Sequence, residues 1–419
     1  MGASLNNNGH RVAITGLGII SSLGLNCPEV TESLATGKSG IALLPERKAL
    51  GFQSGLSGVI SGFDPTRYLD RKKRKSMPEF AIWAWAAVEQ ALAQAGIDPA
   101  SLYGDEGTGL IFGNDSSAVT AVEQVETLRA SGETKSIGSG HIFRLLNSTI
   151  TLNLSTILGL RGQVWTVSSA CASGAMAIGQ GAELIASGRQ QRMLCGGAQE
   201  ISWQSMCSFD TLAAFSRRED TPETSSRPFD LGRDGLVPSG GAAAVCLENY
   251  GAAEQRGAKI LGEVLGYGAA NDGHHIVVPS GDGLERAMRW AISEAGLTPA
   301  DIDLVLAHAT STPAGDEVEG RALTRLFTPA VDQLGPLITA PKGQTGHEFW
   351  MAGASQVVYG LLMSGAAFVV GNHNLQDPDP AVKSLRLPQQ NVYTARRFLL
   401  CNAAGFGGTN ACLVIRNNQ

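Results

Sequence analysis

The chain has 419 residues and is 43% hydrophobic, enough to bury two or three domains' worth of core, and its 52 glycines exceed the average share of roughly 7% without a collagen period. A formal net charge of −6 argues against bulk nucleic-acid binding, and the longest apolar run, around Ala366 to Val370, is too short to span a bilayer. Seven cysteines, at 27, 171, 195, 207, 246, 401 and 412, are odd in number and never form a C-x-x-C pair, so neither a disulfide framework nor a metal site is expected.

The amino-terminal MGASLNNNGHR lacks the apolar core of a signal peptide, and a reducing, cytoplasmic location is expected. Next, Arg71, Lys72, Lys73, Arg74 and Lys75 form an unbroken basic run, read either as a dock for an acidic partner or as a solvated helix face. The segment AVEQALAQAGIDPAS (87–101) then matches RAMRWAISEAGLTPAD (286–301), with Gly96 facing Gly296 and Pro99 facing Pro299. Each is an amphipathic helix closed by Gly and Pro that leads into an apolar strand, TGLIFG (108–113) or DLVLAH (303–308). A second echo relates SACASGAMAIGQGAELIASG (169–188) to TGHEFWMAGASQVVYGLLMSG (345–365). It places Cys171 and His347 at corresponding starts of two buried, small-residue helices. The halves are expected to be 1–250 and 251–419, meeting near Tyr250 to Lys259, in an α/β protein of two similar layered domains.

Cys171 follows the strand run QVWTV and precedes a helix whose N-terminus is expected to lower the thiol pKa toward a reactive thiolate; the plain alternative is an inert buried cysteine. His308 ends DLVLAH, and the hydroxyl-rich ATSTPAGD after it is expected to expose the imidazole at a strand end. His347 is expected to begin a buried helix, with Lys342 five residues earlier in a Gly-rich loop of the same pocket. Two of seven histidines at element ends, with a cysteine in the matching half, favour one shared site over three structural residues. In LLCNAAGFGGTNACLVI, Phe406, Gly407 and Gly408 lie between two apolar runs, where a glycine turn lets backbone approach a ligand or simply closes a hairpin.

Taken in order, SSACASG, HATSTPAGD, PKGQTGH and GFGGTN resemble the β-ketoacyl-(acyl carrier protein) synthases of the thiolase superfamily, from RVAITGLGIISSLG (11–24) to the end of GFGGTN at 410. The resemblance implies a thiolase-like five-layered αβαβα fold from two duplicated halves, and a dimer, either of identical chains or with a related ketosynthase or chain-length-factor subunit. It implies condensation of an acyl thioester with malonyl-acyl carrier protein, no permanently bound cofactor and no metal, with phosphopantetheine arriving on the carrier protein. It further implies Cys171 as nucleophile, His308 and His347 as donors to the malonyl thioester, and Lys342 as organiser of the His347 loop. Phe406 matches a gate and oxyanion position beside Gly407 and Gly408, Thr310 and Thr312 match contacts to the phosphopantetheine arm, and Arg71 to Lys75 match a carrier-protein dock. VPSGGAA (237–243) and the helix leading from DRKKRKSM into EFAIWAWAAVEQAL resemble the type I elongating branch more than type II.

Several residues depart from the family pattern. Trp350 and Met351 replace small residues, Gln356 stands where an acid is usual, Ala309 replaces Gly, and Ala403 and Ala404 are smaller than the usual pair. These suggest a specialised pathway, such as polyene synthesis. The rival readings are a degradative thiolase, which needs a second catalytic cysteine unlike Cys401 or Cys412, and a non-catalytic chain-length-factor-like subunit, which usually lacks the cysteine.

Overall fold

The computed structural model describes residues 10–327 and 334–419; residues 1–9, most of the segment read against a signal peptide, lie outside it. Among the described residues no helix is long and apolar enough to cross a membrane.

Ten strands form the main sheet: β1 Val12–Ile20, β2 Thr108–Gly113, β3 Val164–Val167, β4 Arg192–Gln199, β5 Gly241–Asn249, β6 Gly262–Asn271, β7 Leu304–Leu306, β8 Leu337–Thr339, β9 Phe398–Gly405 and β10 Thr409–Asn417. Their spatial order is β8-β7-β9-β10-β6-β1-β5-β4-β2-β3. Each half therefore repeats one pattern, third-second-fourth-fifth-first. In each, the second strand runs parallel to the third and fourth, and the fifth antiparallel to the fourth and first. The two first strands join the halves through Val12–Ile14 paired with Gly262–Val264.

Six helices fill the layers: α1 Glu79–Ala95, α2 Thr149–Leu158, α3 Ser173–Ala186, α4 Asp282–Glu294, α5 Pro313–Phe327 and α6 Ala352–Gly365. The core beneath α1 and α2 covers one outer face of the sheet, and that beneath α4 and α5 covers the other. Between them lies a central core built on α3 and α6. The result is the five-layered α/β thiolase-like arrangement, its middle helices free of charge on their buried faces because sheet covers them on both sides.

The first sequence echo is the same structural piece twice. Gly96 and Gly296 both take φ +69°, the left-handed conformation that ends a helix at little cost only for glycine. The repeat extends beyond the matched segments to strands that show no such echo. A Cβ on Gly16 or Gly18 of β1 would meet the carbonyl oxygens of Ala91 and Ala87 at 1.9 and 1.8 Å. One on Gly266 or Gly268 of β6 would meet those of Ala291 and Ala287 at 2.1 Å. Helix and strand backbones touch at matching places in both halves.

The second echo holds less closely. α3 begins two residues after Cys171, whereas α6 begins at Ala352, behind a 3-10 turn over Phe349–Met351, so His347 does not start a helix. Phe349 at φ +43° breaks the helical path there. The basic run is likewise separate from α1. Arg71–Arg74 form a short helix capped by Asp70, whose side chain accepts from the Lys73 amide, and Pro78 restarts the chain before α1.

Candidate active site

Cys171 sits on the turn from β3 to α3, and the turn is held under strain. Ala170 has φ +48°, and Asp115 at the end of β2 restrains it, accepting the Ala170 amide at 2.8 Å and the Ser168 hydroxyl at 2.5 Å. Ser173 Oγ closes the turn, accepting from the Ser169 amide and donating to the Ala170 carbonyl. From the other half, Thr409 Oγ1 donates to the Ser169 carbonyl at 3.1 Å, and a Cβ on Gly405 would lie 3.0 Å from the Cys171 amide. Glycine at 405 is what lets the β9–β10 hairpin approach the backbone of Cys171.

His347 is fixed by its backbone: its amide donates to the Val237 carbonyl at 2.7 Å, and its carbonyl accepts the Ser239 amide at 2.8 Å. This holds Nε2 at 3.1 Å from Cys171 Sγ. The His308 ring stands perpendicular to it with centroids 5.1 Å apart, and Phe349 stacks beneath His347 at 4.8 Å. Glu319 of α5 anchors His308, accepting the amides of His308 and Ala309 at 2.9 and 2.6 Å and the Asn402 side chain at 3.1 Å. His308 lies beyond the end of β7 and is buried, 8% exposed, so the expected exposed imidazole is corrected. The loop turns back at once, through Ser311 at φ +69° and its amide's bond to Asp316, and folds over the ring.

The expectation of a thiol acidified by the helix N-terminus is also corrected. Burial pushes the Cys171 thiol up to about 12, although the Lys342 charge opposes the rise. Desolvation outweighs the helix end because the thiol is only 7% exposed. Burial, reinforced by Lys342, holds both imidazoles well below the usual histidine range. A protonated thiol therefore faces a neutral imidazole at hydrogen-bond distance, the arrangement in which a base takes the proton as the sulfur attacks. Sγ and the imidazole nitrogens lie within 4.8 Å of one another, close enough to chelate a metal as well as to share a proton.

A cavity of about 360 Å³ brings together Cys171, His308, His347, Phe406, Thr310, Thr312 and Gly408. The Thr310 and Thr312 hydroxyls bond each other at 3.0 Å on its wall. Phe406 is 37% exposed and stacks on Phe209 at 5.9 Å, so it stands at the cavity's edge. Two expected residues lie off the cavity. Lys342 begins a short helix over Lys342–Thr345 instead of a loop and is 3% exposed. Gly407 spends its amide on the Ile276 carbonyl and its own carbonyl on the Asn271 side chain. The run Arg71 to Lys75 lines no part of the cavity and is largely exposed on its own short helix. Reading the sequence missed Asp115, Glu319 and Glu348. Asp115 lies two residues past β2 and Glu319 lies on the helix after His308, but neither spacing shows what a carboxylate holds.

Comparison with known proteins fits this geometry. Residues 9–253 match the model for the β-ketoacyl synthase N-terminal domain and residues 261–376 that for its C-terminal domain. The 3-oxoacyl-(acyl-carrier-protein) synthase 1 of Haemophilus influenzae is 37% identical over 409 residues, covering 97% of this chain and 98% of that one. A β-ketoacyl synthase structure from Burkholderia phymatum superposes with a TM-score of 0.91 at 34% identity, covering 98% of this chain and all of the other. A type II polyketide ketosynthase, solved with its acyl carrier protein and bound to a hexaketide, gives 0.86 at 27% identity over the same shares. This chain belongs to the β-ketoacyl synthase family.

Proposed function

We propose that this chain is a β-ketoacyl-acyl carrier protein synthase that joins an acyl group, carried on Cys171, to the two-carbon unit of a malonyl thioester. The observation that carries the reading is the 3.1 Å contact between Cys171 Sγ and His347 Nε2, with His308 across from it and both rings neutral. Sγ attacks the acyl thioester carbonyl while His347 takes the thiol proton, and that proton leaves on the departing phosphopantetheine thiol. Malonyl thioester then enters. As its C–C bond to the carboxylate breaks and CO₂ departs, negative charge gathers on the thioester oxygen, where N–H groups of the two neutral rings donate. The enolate carbon attacks the acyl-cysteine, the new C–C bond forms, and the Cys171 sulfur leaves as thiolate and takes a proton from water.

Neutral rings matter because an imidazolium would protonate the enolate that must do the attacking. The backbone near Cys171 and Phe406 supplies the oxyanion site in this reading, Gly405 lets that backbone approach, Gly407 and Gly408 complete the turn beside it, and Thr310 and Thr312 receive the phosphopantetheine arm. The close Sγ–Nε2 hydrogen bond is assigned to thiol catalysis, not to a resident metal or cofactor. Lys342, off the cavity wall, acts through its charge on the thiol and both rings.

Acyl carrier protein docks at Arg71 to Lys75, whose exposure supports a contact with an acidic partner. A dimer, with an identical chain or a related subunit, is supported by the free outer edge of β3 and by exposed Ile142 and Phe143. A cytoplasmic location is supported by seven unpaired cysteines. The test is intact-mass analysis after incubation with a series of acyl carrier proteins. Wild type is expected to gain one acyl group, and Cys171→Ala is expected to gain none and to form no condensed product while keeping its fold. Wild type that neither acylates nor decarboxylates malonyl carrier protein would return the lead to a non-catalytic partner subunit.

A further inference from the structure

One buried carboxylate next to His347 in the chain takes no part in the condensation steps. Glu348 follows His347 and is 1% exposed. Its Oε1 accepts the Tyr359 hydroxyl at 2.6 Å and its Oε2 accepts Ser355 Oγ, both from α6. It thus ties the segment carrying His347 to the helix that follows, across the strained Phe349. Near it, the Lys342 ammonium is buried and makes no hydrogen bond among the described residues.

The charges facing Lys342 are Glu319 and Asp316 from α5, Glu348, and Cys171. Glu319 is already committed to two backbone amides and Asn402. Asp316 accepts the Phe229 and Ser311 amides and faces Arg233 at 3.9 Å. Among the described residues the Glu348 carboxylate accepts from two hydroxyls, and the positive charge acting on it is that of Lys342. Position 356 contributes no charge: the Gln356 amide donates to the Ala307 carbonyl at 2.6 Å. Lys342 in turn acts on all three reacting side chains, beside Asp115 at the thiol and beside His347 at the His308 ring. Glu348 is one of the charges acting on Lys342.

We propose that Glu348 is a positioning residue of this site: it fixes the His347 segment to α6 and adds to Glu319 the counter-charge that keeps the buried Lys342 protonated. The inference rests on the catalytic reading of Cys171 and deepens it. Burial works against both ions, holding the Glu348 carboxyl up to about 7 and Lys342 below its usual range; Glu319 and then Glu348 oppose the loss of the Lys342 proton, and the Ser355 and Tyr359 hydroxyls and Lys342 oppose burial at Glu348. The sign follows. Without the carboxylate, Lys342 gives up its proton at lower pH, Cys171 loses the cation that opposes its upward shift, and thiolate forms at higher pH.

The experiment follows iodoacetamide alkylation of Cys171 against pH by intact mass, in the full chain, for wild type, Glu348→Gln, Tyr359→Phe, Lys342→Met and Glu348→Gln/Lys342→Met. Glu348→Gln is expected to move the midpoint up by at least half a pH unit, slowing alkylation about threefold at a fixed pH on the rising limb. Tyr359→Phe, which removes one donor to the carboxylate, moves it less in the same direction, and carries the test should Glu348→Gln not fold. Glu348→Gln is expected to add nothing in the Lys342→Met background. Profiles that superimpose on wild type, or an equal shift without Lys342, overturn the proposal, as does a loss of thermal stability with an unmoved midpoint. Alkylation needs no turnover, so failure of wild type to accept an acyl group sinks the condensing reading separately.

Discussion

The two halves share a strand order and helix placement but differ at the turn that leads into the middle layer. In the first half the chain passes from β3 through a strained alanine into α3, and Asp115 holds that turn with the thiol projecting. In the second half the matching connection is longer, with His347 set ahead of a 3-10 turn and pinned by backbone bonds to Val237 and Ser239. A duplicated scaffold thus keeps its core contacts, where α1 and α4 press on glycines, and diverges where the thiol-bearing turn faces the imidazole-bearing one. Cys171 and His347, the proposed nucleophile and base, thus make one site divided between two copies of the same structural idea.

The segments leading into the outer helices differ too. The run Arg71 to Lys75 precedes α1, whereas exposed Ile276 and Val277, which line the cavity, precede α4. One half presents charge and the other an apolar lip.

The largest effects should come from the divided site. His308→Ala and His347→Ala are each expected to slow decarboxylation of malonyl carrier protein by roughly 10²–10³. Only His347→Ala should also slow acylation of Cys171, because only that ring touches the sulfur; equal acylation rates in the two variants would erase the division of labour. Smaller, and symmetric, are the scaffold glycines. Gly18→Ala and Gly268→Ala each force a methyl against a helix carbonyl and should each cost roughly 1–3 kcal/mol in urea unfolding. A cost confined to one half would mean the copies no longer bear load alike. The smallest effect is at the surface. Reversing Arg71 to Lys75 to glutamate should raise KM for carrier protein severalfold at low salt, with the curves converging near 1 M, where the Debye length is about 3 Å. Changing Ile276 to Ser should leave that salt dependence unmoved.

Periodicity, glycine placement and two internal echoes by themselves determined the layered α/β fold and its duplication, because backbone closeness and helix ends demand particular residues wherever they occur. Motif spacing likewise singled out Cys171, His308 and His347. Tertiary structure alone decided their chemistry. The thiol's upward shift comes from burial by both halves, the interruption before α6 from the left-handed Phe349, and the roles of Asp115, Glu319 and Glu348 from partners remote in sequence or hidden inside the fold. Desolvation and carboxylate pairing depend on which atoms surround a group in three dimensions, and linear spacing carries no record of that.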